Sequence, residues 1–110
     1  MQTISLDTQV REHLERAAGA NSGRSAATVY AGNEHGLRQT VLALTAGSGL
    51  AEHDSPGDAT LLVLRGHVWL TEGESSWEGR TGDLVPIPLA RHSLDAIKDS
   101  AVLLTVAKSG

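Results

Sequence analysis

The chain has no cysteine and no phenylalanine, and its aromatic side chains are Tyr30, Trp69 and Trp77 alone. Without cysteine there can be no disulfide, zinc–thiolate site, iron–sulfur cluster or cysteine nucleophile. With so few aromatics, a core has to be built from Leu, Val, Ile and Ala. A basic stripe is also missing, and the formal net charge is −4. That removes the electrostatic footprint of a nucleic-acid binder and disfavours an anionic membrane surface. No apolar run is long enough to span a bilayer. The first 18 residues mix polar and charged side chains and lack the apolar stretch of a signal peptide. The expectation is a cytoplasmic protein that binds neither nucleic acid nor membrane.

What is present fits one domain of 110 residues with 12 glycines, a composition suited to many tight turns. One helix is expected near the start. Val10, Leu14, Ala17 and Ala18 fall on one helical face, Asp7 or Thr8 can cap it, and Gly19, Asn21 and Gly23 end it. Residues 1–23 are thus expected to form a helix and linker, and residues 24–110 a β domain. Strands are expected over 26–31, 37–46, 60–71 with a bend at Gly66, 76–78, 84–87, 92–97 and 101–107. Short strands between turn signals indicate a sandwich or barrel. The runs Leu61-Leu62-Val63-Leu64 and Val102-Leu103-Leu104 do not alternate, so both faces of these strands should be covered. A sandwich core covers one face; the helix or a second subunit would cover the other. Val68 and Leu70 are expected to face inward, and His67 and Trp69 outward. Trp69 and Trp77 flank a hairpin turn and could meet across it or lie in a subunit interface. His13 and His35 are expected to be solvated.

Two stretches carry a more specific signal. Gly47 stands six positions before His53, and Leu61-Leu62-Val63-Leu64-Arg65 leads to Gly66. Further on, Gly82-Asp83-Leu84-Val85-Pro86-Ile87-Pro88 is followed by Leu89-Ala90-Arg91-His92. With the strand pattern, these stretches resemble the two motifs of the cupin superfamily. The resemblance implies an antiparallel jelly-roll β-barrel with one short N-terminal helix outside it, and a homodimer. In cupins, two histidines and a Glu of the first motif and a His of the second hold a metal inside the barrel. His53 and His92 match two of those positions, but Ser55 and Ala59 stand where the second His and the Glu would be. The second motif is also one residue short between Pro88 and His92.

A metal would therefore need another donor. Asp58 is the nearest candidate beside His53 and His92, because Fe, Mn and Zn sites take at least three protein ligands. Without a metal, the two imidazoles are polar groups in a cavity. Arg91, next to His92, is suited to an anionic ligand or to a neighbouring acid. Three functions are consistent with these residues. The first is a small-molecule binding or sensing barrel, with His53, Ser55, Asp58, Arg91 and His92 around its pocket. The second is a metal-dependent enzyme of dioxygenase or isomerase type, using a divalent metal and a reduced ligand set. The third is a dimeric interaction domain without cavity chemistry. Fold alone does not choose among them.

Overall fold

The structure is a computed structural model and describes residues 3–108. The outer ends of the two expected segments, residues 1–2 and 109–110, lie outside it. Helix α1 spans Leu6–Gly19. Nine strands follow: β1 Arg24–Tyr30, β2 Leu37–Leu44, β3 Gly49–His53, β4 Ala59–Arg65, β5 His67–Glu72, β6 Ser75–Arg80, β7 Leu84–Pro86, β8 His92–Ala96 and β9 Ser100–Ala107. They form two antiparallel sheets, one ordered β1-β2-β9-β4-β7 and the other β3-β8-β5-β6. The sheets face each other in a jelly roll and do not close into one hydrogen-bonded barrel. No helix among the described residues is long and apolar enough to cross a membrane.

One of the crossings between the sheets, from β4 to β5, is made at Gly66. Its φ of +103° suits glycine, and a Cβ there would lie 2.2 Å from Ser100 Oγ and 2.6 Å from the Asp99 carbonyl. The expected bend at Gly66 is thus a corner between β4 and β5. The inner faces of both sheets form the main core, with Leu44, Leu61, Val63, Val68, Leu70, Leu94 and Val102 at its centre. Each large side chain here stabilises the fold by roughly 1.5–3 kcal/mol. Val68 and Leu70 face inward as expected, and His67 faces out toward Glu78. His67 Nε2 lies 2.6 Å from Glu78 Oε1, but off the N–H line required for a hydrogen bond.

A second apolar layer lies on the outer face of the five-stranded sheet. Helix α1 buries Val10, His13 and Ala17 there, above Val41, Ala43, Ala101 and Leu103. This layer explains the unbroken apolar run in β9: alternate residues serve the two layers. The run in β4 is covered on only one side. Leu61 and Val63 are in the core, while Leu62 and Leu64 are half-buried on the outer face.

Three local expectations need correction. The helix is capped by Ser5, whose Oγ accepts a hydrogen bond from the Thr8 N–H at 3.2 Å, so neither Asp7 nor Thr8 is the cap. His13 is only 3% exposed, and its Nδ1 lies 2.7 Å from Ser25 Oγ on β1. It occupies the buried face in place of the expected Ala18, because i, i+3 and i+7 from Val10 point at the sheet. Trp69 and Trp77 do not meet. Register places Trp69 opposite Glu78 and Trp77 opposite Leu70, so the two rings project from opposite faces of the sheet.

Candidate functional site

Strands β3 and β8 carry the two motif histidines at one end of the sandwich. Pairing begins regularly, with Gly49 opposite Asp95 and Leu50 opposite Leu94, and then shifts so that His53 is opposite His92. Three steps along β3 therefore match two along β8. Ala51 and Glu52 together face Ser93, which is a β-bulge. The consequence is geometric. Side chains alternate along a regular strand, so the third residue after an inward Leu50 would point outward. The bulge returns His53 to the inner face, where it meets His92. The ring centroids are 4.4 Å apart and the planes are inclined at 66°, an edge-to-face contact.

Both rings are held in the same way. His53 Nδ1 donates to the Ala51 carbonyl at 2.9 Å, and His92 Nδ1 donates to the Ala90 carbonyl at 2.8 Å. A carbonyl only accepts, so each Nδ1 carries the proton and each neutral ring keeps its lone pair on Nε2. Neither Nε2 has a hydrogen-bond partner among the described residues. The two rings form the polar end of a small pocket of about 40 Å³ that opens to solvent at its mouth. The rest of its wall is apolar, with Leu42, Leu50, Pro56, Leu70 and Ile87 among the lining residues. His92 is 4% exposed and His53 is half-buried nearer the mouth.

The other expected pocket residues sit elsewhere. Ser55 is occupied within its own turn: its Oγ accepts from the Gly57 N–H and donates to the Gly57 carbonyl. Asp58 is exposed and borders a different depression, with Leu37, Thr60 and Thr105. Pro56 and Gly57 lie between it and the histidines, and the turn they make carries its carboxylate away. Arg91 is exposed on the outside of β3 and β8. Its Nε donates to Glu52 Oε1 at 3.1 Å, Nη1 to Asp54 Oδ1 at 2.7 Å, and Nη2 to the Glu52 carbonyl at 3.3 Å. The hydrogen bond it donates to Glu52, then that to Asp54, raises its pKa above the usual arginine value. Its charge is thus fixed across all working pH and is already matched by two carboxylates.

A metal centre of the type the fold family implies does not fit these residues. Among the described residues no three His, Cys, Asp or Glu side chains come together in a group that could hold a metal ion. Two imidazoles alone fall short of the three protein ligands that zinc and iron sites take.

Sequence reasoning misses strand β3 and the bulge, and of the two partners expected for Arg91 it is the neighbouring acid that is found. Strand β3 has one large apolar residue, Leu50, and so no readable period. A bulge formed by Ala51 and Glu52 contains no glycine to announce it. The pocket's apolar wall is readable only in part, since Leu50 and Ile87 come from segments of low periodicity.

Neither a protein-family model nor a curated protein matches the sequence. Solved structures do match. A conserved protein of unknown function from Streptococcus pyogenes is 26% identical, with a TM-score of 0.71 over 83% of this chain and 79% of that one. A cupin superfamily protein from Desulfitobacterium hafniense has a TM-score of 0.70 at 14% identity, covering 78% of each chain. A mutant of salicylate 1,2-dioxygenase from Pseudoaminobacter salicylatoxidans has a TM-score of 0.72 at 20% identity, over 91% of this chain but 32% of that enzyme. Two facing antiparallel sheets, an external helix and these structural neighbours make the chain a small cupin in fold.

Proposed function

We propose that this protein binds a small, largely apolar molecule bearing a hydrogen-bond-donating head group, such as a phenol or an alcohol. The observation that carries the proposal is the pair of Nε2 lone pairs at the end of an otherwise apolar pocket. Both rings have their Nδ1 protons committed to backbone carbonyls, so in neutral form they present acceptors only. A ligand with an O–H or N–H satisfies them; an ether or a carboxylate does not. A pocket with an apolar wall and a few convergent polar atoms is the usual form of a small-molecule site.

Phenol, anisole and benzoate probe this directly at pH 8, followed by NMR shifts of the pocket leucine methyls. Phenol is expected to bind, anisole about tenfold more weakly for one lost hydrogen bond, and benzoate least. His92→Ala is expected to remove the preference for phenol over anisole. Equal binding of phenol and anisole to the native protein would sink the proposal. One equivalent of bound transition metal in untagged protein, lost in His53→Ala, would replace it with the metal-enzyme reading.

We also read the chain as a homodimer. The outer face of the five-stranded sheet carries a cross-strand row Val41–Leu103–Leu62–Leu84. Helix α1 covers one end, and Leu84 at the other end is 61% exposed. A second copy seated there would cover the face of β4 that the helix does not reach.

A further inference from the structure

We infer that Arg91 is the positioning residue of the histidine pocket, acting through the β-bulge and not by touching a ligand. A bulge interrupts the ladder and leaves backbone groups without strand partners. Here both bulged residues have their carbonyls taken by side chains. The Ala51 carbonyl accepts from His53 Nδ1, and the Glu52 carbonyl accepts from Arg91 Nη2. The same guanidinium spans the bulge from Glu52 to Asp54, the two residues that flank His53 in sequence. Arg91 itself immediately precedes His92. One planar fork on the outside of the strand pair therefore fixes the neighbours of both inward imidazoles. Lysine cannot reproduce this, because an ammonium has no rigid array of donors to reach three acceptors at once.

Without the fork, nothing among the described contacts holds Asp54 or the Glu52 carbonyl in place. The bulge can then relax, and the Ala51 carbonyl moves relative to the His53 ring. The His53 proton is no longer confined to Nδ1, and the fixed Nε2 acceptor is lost. His92 takes its carbonyl partner from Ala90 on the other strand and keeps its tautomer. The effect is therefore expected at one ring of the pair. The inference rests on the pocket reading for its functional consequence only. Its test needs no ligand, so it can fail or hold independently of that reading.

The experiment is long-range 1H–15N NMR of the histidine rings, with ring-to-ring NOEs, in the native chain, Arg91→Gln and Arg91→Lys. The native His53 is expected to show a single Nδ1–H tautomer and NOEs to His92. In Arg91→Gln, His53 should average between tautomers and lose those NOEs. His13 should keep its native signals and serve as an internal control for an intact fold, and His92 should keep its Nδ1–H tautomer. Arg91→Lys should restore the pattern only in part. If Arg91→Gln does not fold, 1 M salt on the native chain provides the same test, because exposed ion pairs are screened at that ionic strength. His53 signals unchanged by the substitution, or by salt where the variant does not fold, would overturn the inference.

Discussion

His13 and His92 are buried to nearly the same degree, yet they stand in regions built for different ends. His13 lies between helix and sheet, its Nδ1 against Ser25 and its neighbours the small residues Ala17 and Ala43. Val41, Ala43 and Ala101 in this layer have no exposed surface. His92 lies between the sheets, where the walls are large leucines and the packing leaves open space. Small residues allow two elements to approach until no gap remains. Leucines projecting from opposed sheets at an open end leave a gap that no side chain fills. The helix layer is closed structure, and the sandwich end is a container. Burial of a histidine does not tell the two apart; what lies beyond its second nitrogen does.

That comparison can be broken by overfilling. Ala43→Leu adds three carbons under the helix with no space to receive them. It is expected to cost about 3 kcal/mol, seen as a lower denaturant midpoint at unchanged slope. If Ala43→Leu is neutral, the helix layer is not closed. Removing each histidine sharpens the contrast. His13→Ala empties a sealed site and strands Ser25 Oγ, and should cost about 2 kcal/mol by urea denaturation. His92→Ala only enlarges an existing pocket, and should cost about 1 kcal/mol or less by the same measure. Equal losses would mean that His92 is as structural as His13. The smallest effect on folding is expected at the uncovered end of the outer face. Leu84→Ser should shift stability by less than about 0.5 kcal/mol, as for most exposed positions. It should nevertheless convert a dimer to a monomer in sedimentation velocity at micromolar concentration. A native chain that sediments as a monomer removes the dimer reading.

Much of the fold is legible in the sequence because it follows from local chemistry. Gly66 announces a corner, and the apolar runs of β4 and β9 announce strands with two faces to cover. The inward turn of Val68 and Leu70 follows from alternation alone. The helix is legible as an element, but its buried face lies one position away from the apolar stripe. Val10, His13 and Ala17 face the sheet because the sheet sets the rotation, and an apolar stripe that is half alanine is too weak to reveal it. Site residues are harder for a different reason. Ser55, Asp58 and Arg91 all lie close to a pocket histidine in sequence, yet none lines the pocket. Proximity in sequence fixes distance, whereas the direction of a side chain depends on turn and register. Ser55 is consumed by its own turn, and Arg91 by one carboxylate on the neighbouring strand and another just past its end.

The bulge at Ala51 and Glu52 makes this end of β3 respond unequally to two kinds of change. Loss of either residue removes the surplus, straightens the ladder and leaves His53 opposite His92. Regular pairing of the whole strand, by contrast, would bring Glu52 opposite His92 and turn His53 outward. The imidazole pair would become a carboxylate beside an imidazole, and an acceptor-only pocket would become an acidic one. A deleted codon at this point therefore keeps His53 on the inner face but removes a backbone partner of His53 or of Arg91, while a slip of one register step would put Glu52 in place of His53 with no change of sequence.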